Sequence, residues 1–411
     1  MSGHPLPPGH GGLALPASPP SQARLGLVAI FGSTFFELVG YFMLMPLLLL
    51  RLKGDGVSNA LAGLLAATGW VGVFAITPFA SAITQRLGRR PTLWLAALVP
   101  VLSTTGFLFT RWLPAWFVFE FVAGAASGLR WVLAEAVVAE FASPRQRGRM
   151  VGLFETMVGT TFVIGPALLA AVGAQSALAL WLVLASMTIG LVWSLLIPPL
   201  PRAHDAHSAR VGLHGVWHAL RAHPLIMTVG FVGGFFESGL TSILPLYGLS
   251  LGLGVTAAAL LVSASGLGSA LMMLPAGLLA DRLGALPRWG DPRSARLALM
   301  RWCALVTLAA TALIPFVAGT PWLAAAVAFS WGGAGGSLYT LAMIDIGSRE
   351  QGITLVNSTA VLVLSYTLGG VLAPALGAAM LDWAPMVGFP ALLLAVAGPG
   401  WWLLRRANRA V

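Results

Sequence analysis

Long apolar runs recur along almost the whole chain, and they constrain its fold more than any other feature. Each run holds about 20 or more mainly apolar residues, the length that a helix needs to cross about 30 Å of hydrocarbon. Only 9% of the residues are charged, whereas soluble domains carry roughly a quarter. We therefore predict an all-α membrane protein with 12 transmembrane helices, called spans one to twelve. These spans cover residues 26–50, 58–83, 92–110, 114–139, 150–173, 176–197, 224–250, 255–280, 296–318, 321–346, 352–381 and 385–404.

The spacing of the spans divides the chain into two halves of six. Residues 26–197 form the N-terminal half and residues 224–404 the C-terminal half. The polar residues 198–223 are predicted to form a central cytoplasmic loop. Residues 1–25 are rich in Pro, Gly and Ser and lack the pattern of a signal peptide, so a disordered cytoplasmic tail is expected. Residues 405–411 are expected to form a second cytoplasmic tail.

Basic residues assign a side to each loop. Of the 23 basic residues, Arg51, Lys53 and Arg111 lie in one set of loops and Arg130 lies within a span, while the others lie in the alternate loops and the tails. Cytoplasmic loops carry an excess of Lys and Arg. We therefore predict a multi-pass protein of the cytoplasmic (inner) membrane with both termini in the cytoplasm. The net charge of +10 follows from this distribution, so no nucleic-acid partner is predicted.

Short motifs recur in the same order in the two halves, at offsets of about 200 residues, which indicates a duplicated six-span unit. The matched pairs are Phe35-Phe36-Glu37 with Phe235-Phe236-Glu237, Gln85-Arg86-Leu87-Gly88 with Asp281-Arg282-Leu283-Gly284, and Arg145-Gln146-Arg147-Gly148 with Arg349-Glu350-Gln351-Gly352.

The loops after spans two and eight carry a family pattern, G-x-L-A-D-R-x-G-R-R. The second copy is nearly complete, because Gly277, Asp281, Arg282 and Gly284 all match. In the first copy, Ser81 replaces the first glycine and Gln85 the aspartate, while the remaining positions are in register. Those matching positions are Arg86, Gly88, Arg89 and Arg90.

With these motifs the chain resembles the major facilitator superfamily (MFS), over essentially residues 26–404. The stretch from Phe121 to Arg149 is similar to a bacterial branch of that family. The resemblance implies two pseudo-symmetric six-helix bundles, with spans one, four, seven and ten lining a central cavity. It also implies that the family pattern forms a gate at the cytoplasmic side, which here depends more on Asp281 because the first copy lacks the carboxylate.

Four ionisable side chains lie well inside predicted spans. Glu37 is midway along span one, Glu237 midway along span seven, and Arg130 and Glu135 are in the inner half of span four. Such a side chain costs about 2.5–3.5 kcal/mol at the bilayer centre, so it pairs, faces a cavity or serves function. Arg130 and Glu135, five residues apart, do not face each other on a helix. Each therefore needs another partner.

We hypothesise that Glu37 or Glu237 neutralises Arg130 across the cavity, and that a carboxylate there binds a proton whose release is linked to substrate movement. The alternative is that these charges form fixed ion pairs that hold the helices in register.

Other polar residues have structural and functional interpretations. Tyr339, Asn357, Ser365 and Tyr366 are candidates for the substrate cavity, although such groups also bridge helices. The run from Gly332 to Gly336 is expected to permit close helix approach.

The remaining acidic residues of the spans lie near span ends. Glu140, Glu155 and Asp345 lie near the cytoplasmic ends and are predicted to pair with loop arginines. Glu120 lies near the outer end of span four and is expected to reach interfacial water.

No cofactor or metal is predicted. Cys303 is the only cysteine, and no G-x-x-x-x-G-K-[ST] loop is present. His214 and His218 have helical spacing, but a solvated linker is favoured over a metal site because no acidic or thiolate ligand accompanies them. The spans lack a cluster of catalytic His, Asp or Cys, so an enzyme is not expected.

The sequence favours a monomeric secondary active transporter in the lipid bilayer that moves a small molecule by alternating access. We expect coupling to protons and export of drug-like compounds. A lipophilic or cationic substrate suits the acidic residues, but an anion contacting Arg130 fits as well. A uniporter, an importer of a small organic solute and a non-transporting receptor or scaffold remain alternatives.

Overall fold

The computed structural model is almost entirely helical. It describes residues 20–407 except 58, 174, 201–209, 290, 318, 319 and 385, and these described residues contain no strand. Parts of both predicted tails and of the central loop therefore lie outside the described residues. The helices are α1 (Pro20–Gly54), α2 (Asn59–Ile76), α3 (Ala80–Leu87), α4 (Arg89–Phe109), α5 (Leu113–Phe141), α6 (Arg147–Val172), α7 (Ala177–Leu195), α8 (Gly212–Ala222), α9 (Pro224–Gly234), α10 (Leu240–Ser250), α11 (Val255–Gly284), α12 (Pro292–Ala312), α13 (Pro321–Arg349), α14 (Gly352–Trp383) and α15 (Gly388–Ala407).

Each predicted span coincides with one helix or with two helices joined by a short turn. Span two consists of α2 and α3, joined by the 3-10 turn Thr77–Phe79, where Pro78 supplies no backbone N–H. Span seven consists of α9 and α10, joined by the π-helical turn Phe235–Gly239. Glu237 lies within that turn, and π-turns inside helices are frequent at functional sites.

By length and composition alone, fewer than twelve helices of the described residues qualify as membrane spans. Among the described residues, nine helical segments are long and apolar enough to cross a membrane, and a tenth is added if α8 and Pro224–Gly239 form one bent span. Helix α13 is not among the nine. Every residue from Trp331 to Gly347 is buried, and many of these residues are Gly, Ala, Ser or Thr.

The helices pack as two bundles with an interface between them. In the first half α1 contacts α6 and α7, and α5 contacts α2 and α4. In the second half α13 contacts α11 and α12, and α14 contacts α9. The halves meet where α6 packs along α11, where α5 contacts α13 and α14, and where α14 meets α3. Span four thus lies beside spans ten and eleven at the centre.

Glycines of α13 allow α11 to approach closely, as predicted. A Cβ atom at Gly332 would lie 2.0 Å from the carbonyl oxygen of Ser265. Real Cβ atoms keep more than 3 Å from such an atom, so the two helices can touch only because glycine stands there.

The helix α8 ties the central linker to both halves. It meets the segment Pro224–Gly239 at an angle of 94°. The backbone N–H of Gly212 donates to Ser81 Oγ of α3 at 2.8 Å. The side-chain amide of Asn357, on α14, donates to the carbonyl oxygen of Arg210 at 2.8 Å. The linker therefore sits across the boundary between the halves.

Candidate functional site

Arg130 of α5 forms an ion pair with Glu37 of α1. The Nε atom of Arg130 lies 2.6 Å from Glu37 Oε2, and each residue is only 3% exposed. Arg130 also donates to Ser33 Oγ, one turn before Glu37. Of the two partners considered for Arg130 from the sequence, the structure places Glu37 and not Glu237 beside it.

A second group of acidic residues lies between the halves, and we call Glu135, Glu155 and Glu237 the glutamate cluster. Glu135 accepts hydrogen bonds from Trp131 Nε1 at 2.5 Å and from the Tyr339 hydroxyl at 2.7 Å. The carboxyl of Glu155, on α6, interacts with that of Glu135 and is close enough to Glu237 to feel its charge. Three carboxyls from α5, α6 and the π-turn thus share one region.

Two other helices provide hydroxyl groups near Glu237. Ser269 Oγ of α11 donates to Glu237 Oε1 at 2.5 Å, and the Tyr366 side chain of α14 lies beside this carboxyl. Glu237 Oε2 has no hydrogen-bond partner. Glu135 and Glu155 are 2% and 4% exposed, whereas Glu237 keeps some accessible surface. Within the cluster, Glu237 is therefore the least buried residue, although its Oε2 atom is itself buried.

Three aromatic rings cover the cluster. The centroids of Tyr339 and Tyr366 are 4.9 Å apart, and Trp131 lies 6.4 Å and 5.9 Å from them. Trp131 and Tyr366 also keep accessible surface. Ring faces carry negative electrostatic potential, so they add to the carboxyls in attracting a cation.

The internal repeat explains why the two halves differ here. Glu135 and Tyr339, which hydrogen-bond to each other, are 204 residues apart, so they occupy equivalent places in the two halves. The same offset carries Arg130 onto Ala334, beside Gly335. A Cβ atom at Gly335 would lie 2.9 Å from the backbone N of Glu237. Glu237, the repeat partner of Glu37, thus faces glycine where Glu37 faces an arginine.

The glutamate cluster contains no counter-charge. Among the described residues, no salt bridge joins Glu135, Glu155 or Glu237 to a basic side chain. The described part of the chain also holds no group of three or more His, Cys, Asp or Glu residues placed to bind a metal ion.

The second copy of the predicted gate motif contacts the first half at one end of the interface, the end carrying the loops after α3, α5 and α13, which we call the basic end. The carboxylate of Asp281, on α11, accepts from the backbone N–H groups of Gly148 and Arg149, each at 2.8 Å. These groups lie in the first turn of α6, and the N-terminus of a helix stabilises negative charge. Gly277 and Gly148 touch through their backbones, since a Cβ on Gly277 would lie 2.0 Å from the Gly148 carbonyl oxygen.

The other residues of the motif lie at the turn between α3 and α4 and at the end of α11. Gly88 has φ +88°, the left-handed region that favours glycine, at the turn into α4. Arg90 stacks on Trp94 at 4.4 Å. Arg86 and Arg282 are exposed. Gly284 ends α11.

The acidic residues predicted to pair with arginines at this end behave differently from one another. Glu140 lies 2.7 Å from Arg89, and Asp345 pairs with Arg296 at 3.2 Å and with Arg349 at 2.5 Å, which confirms both predictions. The prediction for Glu155 is wrong, because its position on α6 turns it inward to the glutamate cluster. Only the rotation of α6 against α5 and α11 decides that direction.

Glu120 also departs from expectation. It is 1% exposed and neither carboxyl oxygen has a hydrogen-bond partner. Its Oε1 lies 2.5 Å from where a Cβ on Gly69 would be, and the Tyr41 side chain is a neighbour. The expectation that Glu120 reaches interfacial water is wrong, because α1 and α2 cover it.

Two of the four cavity candidates lie away from the cluster. Asn357 binds the linker, as described above, and Ser365 Oγ donates to the Met227 carbonyl oxygen of α9 at 2.5 Å. Asn357 thus connects α14 to the linker, and Ser365 connects α14 to α9. Tyr339 and Tyr366 are the two that the fold brings to the cluster.

Comparisons with known proteins agree with this architecture. A family model of the Major Facilitator Superfamily matches residues 30–361. YfkF of Bacillus subtilis, an uncharacterised MFS-type transporter, is 26% identical over 345 residues, covering 82% of this chain and 83% of YfkF. The MFS-type transporter YE1530 of Yersinia enterocolitica is 27% identical over 320 residues, covering 76% of this chain and 77% of its own.

Solved structures share the fold at low sequence identity. The human organic anion transporter MFSD10 superposes with a TM-score of 0.74 and 18% identity, over 94% of this chain and 100% of its own. The fucose:proton symporter FucP of E. coli superposes with a TM-score of 0.72 and 16% identity, over 93% and 99% of the two chains.

Proposed function

This chain belongs to the major facilitator superfamily, and we propose that it exports a lipophilic organic cation in exchange for protons. The observation that carries the proposal is the glutamate cluster, in which three carboxyls lie beside three aromatic rings and form no salt bridge with any basic side chain that the structure describes. Intramembrane carboxyls of this kind mark substrate or proton pathways. In this proposal the chain works as a monomer in the cytoplasmic membrane with both termini inside, consistent with its basic loops.

A cation fits the central region better than an anion does. The sequence alone left an anion possible through Arg130, but the guanidinium is 2.6 Å from the Glu37 carboxylate, so its charge is already matched. MFSD10 is an organic anion transporter, and an anion here would meet three carboxyls that pair with no basic side chain in the described part of the chain. Trp131, Tyr339 and Tyr366 favour a cation with apolar surface.

Protons supply the coupling in this mechanism. Three carboxyls within one water-poor region repel one another when ionised, so the cluster holds protons when no cation is present. A bound cation displaces these protons, and the two ligands therefore exchange at one site. FucP, which shares the fold, is a proton symporter.

Export follows from the membrane potential. A negative interior favours cation entry by about 2.3 kcal/mol per charge at 100 mV, so uptake of a cation requires no coupling to protons. Expulsion of a cation against this potential does require coupling to protons. The hydrogen bonds of Asp281 to the start of α6, which we call the Asp281 latch, link the halves at the basic end of the interface. The basic end is the cytoplasmic side in this proposal. Opening and closing this end against the opposite one provides alternating access.

The decisive experiment measures tetraphenylphosphonium flux in proteoliposomes under an imposed pH gradient. We expect flux with the wild-type protein, with counter-movement of protons, and loss of both with Glu237→Gln and Glu155→Gln. Glu120→Gln is the matched control, because it neutralises a buried glutamate outside the cluster. A benzoate-type anion is expected not to move.

Other outcomes distinguish the alternatives. Cation flux that is insensitive to pH in wild-type and Glu237→Gln protein would indicate a uniporter. Anion flux would refute the assignment of substrate charge. The absence of flux with every compound, for protein that is folded and correctly inserted, would favour a receptor or scaffold.

A further inference from the structure

A cavity of about 210 Å³ lies between α12 and α15, away from the glutamate cluster. Its lining consists of Arg301, Trp302 and Leu305 from α12 and Trp401 and Arg405 from α15. The two helices pack against each other. Helix α12 begins, and α15 ends, at the basic end of the bundle, so antiparallel packing brings the two arginines to one level.

The two arginines of this cavity have no counter-charge. Neither Arg301 nor Arg405 forms a salt bridge with any residue that the structure describes, and no acidic side chain lines the cavity. The nearby Arg296 is different, since it pairs with Asp345. Arg301 follows Arg296 by five positions, which places them on different faces of α12. The inward arginine is therefore neutralised within the protein, and the outward one is not.

The surroundings of the cavity are those of a lipid-facing surface. Trp302 is 61% exposed, Trp402 45% and Leu403 38%. Tryptophans gather where a membrane protein meets the headgroup layer. The guanidinium of Arg405 also lies 5.3 Å from the ring centroid of Trp401, which orients it along one wall. Two arginines that form no salt bridge among the described residues thus line a pocket at the edge of an apolar surface.

We propose that this cavity binds the headgroup phosphate of an anionic phospholipid. Arg301 and Arg405 donate to the phosphate oxygens from two sides, an arrangement that suits the planar guanidinium group. Trp401 forms the wall of the pocket, and the acyl chains lie along the apolar surface near Trp302. Basic pockets between transmembrane helices bind anionic lipid headgroups on the same physical grounds. The site is independent of the transported substrate.

The test uses the full-length protein, purified in detergent and freed of lipid, with phosphatidylglycerol as the probe. Native mass spectrometry measures the fraction of protein that holds one lipid as its concentration rises. We expect phosphatidylglycerol to bind more tightly than phosphatidylcholine. The double variant Arg301→Gln/Arg405→Gln is expected to bind it about thirtyfold more weakly, because each basic residue near an anionic lipid surface contributes a factor of about five.

The matched control removes two arginines of the same end that lie outside the cavity. Arg221 stacks on Trp217 at 4.7 Å and Arg406 on Trp402 at 3.7 Å. The variant Arg221→Gln/Arg406→Gln is expected to bind phosphatidylglycerol within twofold of wild type. Equal loss in this control would show that only overall charge matters and would overturn the proposal.

A second variant covers the case in which removing both arginines harms folding. Leu305→Trp keeps both charges and fills the cavity, so it is expected to weaken phosphatidylglycerol binding as well. Unchanged binding in Leu305→Trp, or in a folded Arg301→Gln/Arg405→Gln protein, would refute the site. If millimolar inorganic phosphate displaced the lipid, the cavity would be a site for free phosphate and the lipid assignment would be wrong.

Discussion

Replacing Glu37 by glutamine is expected to destabilise the protein, whereas the same replacement at Glu237 is expected to leave its stability nearly unchanged. Glu37→Gln leaves the Arg130 guanidinium buried, since both side chains are only 4% exposed. Removing one partner of such a pair costs about 3–5 kcal/mol. Glu237 has no basic partner, and a glutamine oxygen can still accept from Ser269. Its replacement should cost about 1 kcal/mol or less.

The assay is the free energy of unfolding from SDS titrations of purified protein, followed by circular dichroism. The variant Glu37→Gln/Arg130→Gln removes both charges and should recover much of the loss, with a coupling energy of about 2–3 kcal/mol between the two sites. In proteoliposomes we expect the variant that keeps its stability to lose activity. Glu237→Gln should retain its fold and lose proton-linked flux. Equal stability of Glu37→Gln and Glu237→Gln, or additive effects at Glu37 and Arg130, would refute this account of the asymmetry.

Three further predictions follow from single contacts. Asp281→Asn weakens two hydrogen bonds to the start of α6 and should favour opening of the basic end by about 2 kcal/mol. Spin labels placed at that end should then lie farther apart. An unchanged distance distribution would contradict the role of Asp281 in holding this end closed. Gly332→Ala should destabilise the protein by about 1–3 kcal/mol in SDS titrations, because its Cβ would meet the Ser265 carbonyl oxygen; wild-type stability would contradict that close approach. Tyr339→Phe removes the hydroxyl that lies 2.7 Å from each oxygen of Glu135. The variant should stay folded and show an altered pH profile of flux. A profile identical to wild type would exclude a role for this hydroxyl.

The positions of the spans and of the gate motif could be predicted because both depend on local sequence. The thickness of the hydrocarbon layer sets the length of a span, and the backbone must satisfy its own hydrogen bonds there. Asp281 could likewise be singled out, because its motif follows a span directly. The fold then places it at the start of α6, where two backbone N–H groups donate to its carboxylate.

The candidate site was only partly predictable. Glu37, Arg130, Glu135 and Glu237 stand out because charges are rare inside spans. Glu155 was assigned to the wrong environment, because distance from a span end gives depth but not the direction in which a side chain points. Comparing the halves offered one signal, since the repeat that matches Glu37 with Glu237 has no second arginine in span ten.

The sequence by itself determined that this chain is a duplicated bundle of membrane-spanning helices with basic loops on one side, since length, hydropathy and loop charge are properties of each segment. Only the tertiary structure decided which charges have partners. Glu37 meets Arg130, Glu155 joins Glu135, and Glu120 is buried with no hydrogen-bond partner among the described residues. These outcomes depend on the rotation and close packing of helices far apart in the chain, which glycines permit and which no single segment encodes.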